Sequence, residues 1–151
     1  MYVALSFTWE KFGKKNKEQK KYIIVDEAWM LTKDEYSAHF MENLSRRARK
    51  RGTGFIVASQ KFNEFAANDQ GRAVLTNSAI NVFLKTKTED CDGVQEMFKL
   101  SDGERLFILQ AEKGEALIKT SKESAIMETH VLKHEEDIFF RRKKEQTTEG
   151  E

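Results

Sequence analysis

Two uninterrupted apolar runs dominate the first half of the chain. Tyr22-Ile23-Ile24-Val25 stops at the acids Asp26-Glu27, and Phe55-Ile56-Val57-Ala58 stops at Ser59-Gln60. Neither alternates with polar residues, so both predict strands buried on two faces, as in a parallel sheet with helices above and below. Between them Tyr36, Phe40, Leu44 and Ala48 recur at every fourth position, with Met41 alongside. That period predicts a helix over Asp34–Arg51, stopped by Gly52 and Gly54. Upstream, Val3, Leu5, Phe7, Trp9 and Phe12 predict a helix over Tyr2–Phe12, followed by a lysine-rich connector over Gly13–Lys21.

The second half is patterned more weakly. It predicts a short helix over Arg72–Asn77, a third strand over Ile80–Leu84, a helix over Glu89–Phe98 and a turn at Ser101-Asp102-Gly103. Leu106–Gln110 and Glu115–Lys119 flank Glu112-Lys113-Gly114 and read as a hairpin. A last helix is expected over Val131–Lys144, carrying Leu132, Ile138, Phe139 and Phe140, with a disordered tail at 146–151. The order of elements predicts one α/β unit with a mainly parallel sheet flanked by helices and a C-terminal hairpin and helix. Strands near Tyr22–Val25, Phe55–Ala58 and Asn81–Leu84 are expected as parallel neighbours in one sheet.

Composition narrows the class without naming it. The 151 residues are 39% hydrophobic and 34% charged, yet 26 Lys+Arg against 25 Asp+Glu nearly cancel. Net charge therefore implies no strongly basic or acidic partner, and any nucleic-acid contact must come from local clusters. One cysteine, Cys91, excludes an intrachain disulfide and fits a reducing compartment such as the cytoplasm. Three histidines form no zinc pattern; His130 and His134 share a helix face but lack a third ligand. No run approaches the roughly 20 apolar residues of a membrane span, and nothing resembles a signal peptide.

The chemistry gathers where the first two strands end. Ligands of open α/β sheets bind beyond the carboxyl ends of the strands, so Asp26 and Glu27 stand at the binding edge. In nucleotide hydrolases an acid at this point helps hold magnesium, and a glutamate beside it can polarise the attacking water. Asp26 is accordingly assigned to the metal, through water, and Glu27 to the nucleophilic water. The alternative is a solvated acidic pair after an ordinary strand. A right-handed crossover makes the second strand parallel to the first and brings Gln60 to the edge that holds Glu27. Trp29 and Phe40 read as core aromatics.

At this point Asp26-Glu27-Ala28-Trp29-Met30-Leu31, Leu44-Ser45-Arg46-Arg47-Ala48-Arg49-Lys50 and Ala58-Ser59-Gln60 together resemble the conjugal-transfer ATPases of type IV secretion systems, the TraC/TrbE-like subunits. FtsK- and HerA-like translocases share the pattern more distantly. The resemblance runs from the first helix through Glu115–Lys119. It implies the C-terminal part of a RecA-like P-loop ATPase domain over 1–145. It further implies ATP and Mg2+ as cofactors, a hexamer with ATP between subunits, partners among the other secretion subunits and DNA, and a place at the inner face of the cell membrane. Ser59 stands where the family usually has threonine and keeps the hydroxyl on the nucleotide side. The resemblance makes Arg49, with Arg46 as the alternative, a finger reaching a neighbouring subunit's nucleotide, and makes Lys87, near Lys85 after the third strand, a nucleotide sensor.

One departure is large. No Gly-x-x-x-x-Gly-Lys-[Ser/Thr] loop occurs, and Gly13-Lys14-Lys15 lacks its other requirements. In the family that loop lies upstream of the first helix, so the chain is expected to be partial and inactive alone. Two other readings stay open. The basic segments Lys14–Lys21, Arg46–Arg51 and Arg141–Lys144 suit a nucleic-acid-binding module, and a motor fragment that only binds its full-length copies suits an inert interaction domain. A solvated helix end, with Glu42–Arg46 as an i,i+4 pair, also explains Arg46–Arg51.

Overall fold

The computed structural model describes residues 2–13 and 19–135. Helix α1 (Tyr2–Thr8) runs on through a π-helical turn, Trp9–Gly13, as the apolar spacing there predicts. Strand β1 (Lys21–Val25) and strand β2 (Thr53–Val57) pair in parallel, Ile23 opposite Phe55 and Val25 opposite Val57. Between them lie a 3-10 turn at Ala28–Lys33, helix α2 (Glu35–Arg47) and a second 3-10 turn at Ala48–Arg51.

Local chemistry sets these boundaries. Asp34 caps α2 by accepting from the Ser37 N–H at 2.9 Å. Gly52, at φ 65°, ends the basic turn in the left-handed conformation that a side chain would disfavour. Beyond β2 come α3 (Phe62–Phe65) and α4 (Asp69–Asn77), the latter longer than expected because Asn68 caps it, accepting from Gly71 N at 2.8 Å. Gly71 is required there: a Cβ would fall 1.8 Å from the Phe65 carbonyl oxygen. One core joins Leu5, Trp9, Ile23, Val25, Met41 and Phe65 with their buried neighbours.

Two expectations about the sheet need correction. β1 and β2 are covered on one face only: Tyr22 is 67%, Ile24 68% and Ile56 46% exposed, while Ile23 and Val25 are buried. Among the described residues, helices pack on just one side of the pair. The third strand, β3 (Ile80–Phe83), is not a parallel neighbour of these two. It pairs antiparallel with β4 (Glu115–Thr120), which pairs antiparallel with β5 (Ser124–Glu128) in a separate three-stranded sheet. Its exposure alternates, with Ile80 and Val82 open and Phe83 against Phe98, the signature of a half-covered antiparallel strand.

The expected hairpin also moves. Leu106–Gln110 is the end of helix α6 (Asp102–Gln110), and the hairpin is β4–β5, joined through Ser121-Lys122-Glu123. Ser101 and Glu104 form a reciprocal capping box, so Ser101-Asp102-Gly103 opens a helix instead of a turn. A short apolar run does not by itself distinguish strand from helix; the capping box does. Helix α5 (Thr88–Phe98) and α6 enclose a second core of Cys91, Val94, Leu100, Ile108 and Leu117. The expected C-terminal helix lies largely, and the tail wholly, outside the described residues. Among the described residues no helix is long and apolar enough to cross a membrane.

Candidate functional site

The parallel pair stays joined past its last ladder residues. Ala58 N donates to Val25 O, and Ala28 N donates to Ala58 O, each at 2.9 Å. These bonds lock the exits of β1 and β2 side by side, so that the residues following each strand share one edge. Glu27 takes the turn there with φ 49° and ψ 44°, a left-handed conformation uncommon for a side chain of this kind. Its own N–H donates to Asp26 Oδ1 at 2.9 Å, and its carbonyl accepts from Met30 N at 3.0 Å.

Both oxygens of the Glu27 carboxylate are engaged. Gln60 Nε2 donates to Oε1 at 2.7 Å, crossing from the end of β2 to the end of β1. Trp29 Nε1 donates to Oε2 at 2.6 Å. The Trp29 ring in turn lies under two ammonium groups, Lys33 Nζ at 4.4 Å and Lys61 Nζ at 4.3 Å from its centroid. Glu64 pairs with both, with Lys61 at 2.6 Å and Lys33 at 3.9 Å. Asp26 and Gln60 are exposed and Glu27 is half-buried, so the cluster is open to a ligand.

The structure thus brings together Asp26, Glu27 and Gln60. Ser59 is next to them and exposed, its Oγ accepting from Lys61 N at 3.3 Å. Arg49 is elsewhere. It sits in the turn that precedes β2, at the opposite end of a five-residue strand, about 16 Å of rise from the Gln60 end. Lys87 is the N-cap residue of α5, its ammonium 3.7 Å from Glu89. A cavity of about 270 Å³ lies between α1 and β1, with Leu5, Ile23 and Val25 in its wall and Asp26 at its margin.

Residue patterns missed the outer part of the cluster. Trp29, read as a core aromatic, packs only partly against the first core and turns its N–H to Glu27. Lys33, Lys61 and Glu64 carried no signal beyond ordinary surface charge. The usable hint was proximity: a donor-only indole two residues after one acid and a lysine directly after Gln60. Among the described residues no group of three or more His, Cys, Asp or Glu side chains converges as for a metal bound wholly by protein. One exposed carboxylate, Asp26, nonetheless suits magnesium, which keeps several waters and takes other ligands from substrate phosphates.

Comparisons with known proteins identify the family and the fold. The model of the TraG P-loop domain family matches residues 5–149. The fold is similar to VirB4 of Thermoanaerobacter pseudethanolicus at 24% identity and a TM-score of 0.78, covering 89% of this chain and 37% of that one. It is also similar to the genome packaging NTPase B204 of Sulfolobus turreted icosahedral virus 2, solved with AMPPCP, at 14% identity, a TM-score of 0.56 and coverage of 87% and 60%. The cytoplasmic domain of the type VII secretion ATPase EccC of Thermomonospora curvata matches at 15% identity and a TM-score of 0.58, covering 86% of this chain and 14% of that one. A search of curated proteins gives no significant match. The α/β fold is therefore that of P-loop NTPases, and the chain spans little more than a third of the VirB4 structure.

Proposed function

We propose, since this chain belongs to the TraG P-loop domain family, that it is the hydrolytic half of an ATP-driven motor for conjugative transfer or type IV secretion. The observation that carries the proposal is the Gln60–Glu27 hydrogen bond at 2.7 Å, made across the carboxyl ends of two parallel strands. It joins, at the edge where P-loop folds bind ligands, a carboxylate able to take a proton from water and an amide able to sense a phosphate.

In this reading Glu27 is the general base that orients and deprotonates the attacking water. Gln60 reports the terminal phosphate to Glu27 through the bond they share, with the Ser59 hydroxyl beside it on the nucleotide side. Asp26 holds magnesium through water; the ion supplies neutralisation of phosphate charge. Arg49 lies too far from the Glu27 of its own chain to serve it, so its role is across a subunit boundary, where a guanidinium stabilises charge in the transition state. Lys87, at the N-cap of α5 beyond β3, is assigned as the nucleotide sensor.

The phosphates still need a cradle of backbone N–H groups and a lysine. This sequence contains no such loop, so we assign it to a segment outside the sequence. The uncovered face of Tyr22, Ile24 and Ile56 supports that assignment, because an apolar sheet face is normally packed. Self-association into a ring, contact with other secretion subunits and with DNA, and attachment at the inner membrane face follow from the same reading.

The test uses the chain alone and the chain joined to an upstream Gly-x-x-x-x-Gly-Lys-[Ser/Thr] segment of the family. The chain alone is expected to show no ATP turnover above background. The joined polypeptide is expected to hydrolyse ATP. In it Glu27→Gln should lower kcat by at least about 100-fold while ATP stays bound, because the isosteric amide cannot accept the water's proton. Turnover that survives Glu27→Gln removes Glu27 from the role of base.

A further inference from the structure

We propose that Trp29 is a positioning residue for Glu27, its indole N–H fixing the tilt of the carboxylate that Gln60 holds from the other side. The proposal rests on the reading of Glu27 as the base and goes beyond it by naming what aims that base. A glutamate carries rotatable bonds that keep it mobile at a half-exposed site. One hydrogen bond, from Gln60 to Oε1, leaves the carboxylate free to swing about that contact. The second, from Trp29 to Oε2 at 2.6 Å, removes the swing. Each oxygen keeps a lone pair with which to accept from water.

Trp29 is suited to this in three ways. An indole N–H donates and never accepts, so it cannot take the proton meant for Glu27. Its ring is itself pinned by the Lys33 and Lys61 ammoniums, and Glu64 holds both lysines. Its backbone stands in the 3-10 turn that starts where Glu27 adopts φ 49°. A strained backbone persists only where its surroundings over-determine it, and such strain gathers at functional sites. Here the surroundings are the Asp26, Met30, Gln60 and Trp29 bonds, all made by Glu27. Lys61 adjoins Gln60 in sequence, so the two donors to Glu27 are also tied to each other through the Trp29 ring.

The first arm of the test reads the Gln60 side-chain amide by 15N NMR of the full chain. Trp29→Phe keeps an aromatic ring near the lysines and removes the N–H together with the five-membered ring that carries it. The expected result is a shift of the Gln60 amide pair, because its carboxylate partner has come loose, with the α5, α6 and β4 backbone resonances unmoved. Glu27→Gln is expected to move the Trp29 indole resonance upfield, since a neutral acceptor replaces a charged one. A Gln60 amide that ignores Trp29→Phe, or an indole that ignores Glu27→Gln, overturns the proposal. Should Trp29→Phe fail to fold, the Glu27→Gln spectrum decides, because it leaves Trp29 in place.

The second arm uses the joined polypeptide of the preceding subsection. Trp29→Phe is expected to lower kcat about ten- to a hundredfold and to leave KM within about twofold, with an unchanged circular dichroism spectrum and urea midpoint excluding loss of folded protein as the cause. Unchanged kcat sinks the positioning role alone. Turnover of the joined polypeptide that survives Glu27→Gln sinks the reading of Glu27 as base, and this inference with it.

Discussion

Glu27 and Glu104 are carboxylates with several hydrogen-bond partners, one in each half of the chain, and they are held for different ends. Glu27 stands where β1 and β2 give out, on a left-handed backbone that costs a non-glycine residue about 1–2 kcal/mol. Glu104 is built into the frame of the second half. Hydrogen bonding from Ser124, then from the Ser101 backbone, holds its carboxyl down at about 2. Lys119 Nζ lies 3.4 Å away and ties α6 to β4. The displaced titration of Glu104 therefore serves architecture, and the left-handed backbone of Glu27 shapes the polar edge, whereas Lys99, at φ 54°, uses the same conformation only to end α5. Structural networks shift pKa values by the same physics as active sites, so a displaced carboxyl does not by itself mark a site.

The comparison breaks if the halves are separate folding units, and the largest expected effects test that. Phe65 fills the first core and Ile108 the second, exposed to 1% and 0%. Phe65→Ala is expected to destabilise by about 3–5 kcal/mol and Ile108→Ala by about 2–5 kcal/mol. The halves are bridged by Asn63, whose N–H donates to Asp90 at 3.1 Å, and by Phe62 and Phe98 rings 6.2 Å apart. Both tryptophans, Trp9 and Trp29, lie in the first half. Ile108→Ala should accordingly lower the urea midpoint seen by tryptophan fluorescence together with that seen by circular dichroism. A fluorescence midpoint that stays put while the dichroism midpoint falls would divide the chain into two units.

Acid sharpens the contrast. The folded-state pKa of Glu104 lies below its ordinary value of 4.5. Its contribution is thus complete above about pH 4.5 and is lost as pH falls toward 2. Between pH 6 and pH 3 the loss is expected to be on the order of 2 kcal/mol, less what solvent screens. Glu104→Gln should remove that part of the pH dependence in denaturant titrations at the two pH values. A smaller effect is expected from Ser101→Ala, which deletes one arm of the α6 capping box, at about 1 kcal/mol. Neither change should alter hydrolysis by the joined polypeptide beyond what lost stability explains.

The parallel pair is legible in the sequence because two continuous apolar runs, a helical period between them and glycines at its end all agree. The meeting of Gln60 with Glu27 is legible for the same reason, since strand order alone puts their chain positions at one edge. The second half is read less well. Its capping box at Ser101 and Glu104 is present in the residues, but the apolar run that follows suits strand or helix equally. β5 hides because Ser124, Glu128 and an edge position dilute its apolar content. Trp29 is misread for a subtler reason. Its partner depends on a left-handed turn at Glu27, and no pattern of residue types announces a positive φ at glutamate.

The smallest expected effect on stability, and the sharpest division between two readings, concerns Arg49. It is exposed in the turn before β2, where its guanidinium also offsets the negative end of α2. In that role alone Arg49→Ala should change stability by well under about 1 kcal/mol and leave ATP turnover intact. As a finger acting across a subunit boundary it should fold and bind ATP normally yet lose most turnover, since the charge is needed chiefly in the transition state. Mixed assemblies separate the two in one experiment. When Arg49→Ala and Glu27→Gln subunits are combined, some boundaries place an unaltered Arg49 beside an unaltered Glu27, and part of the activity should return. Mixtures that assemble but stay as inactive as both parents remove the trans role. An Arg49→Ala protein with full turnover returns the residue to the helix end. Either outcome leaves the Glu27–Gln60 edge untouched, because Arg49 lies at the far end of β2 from it.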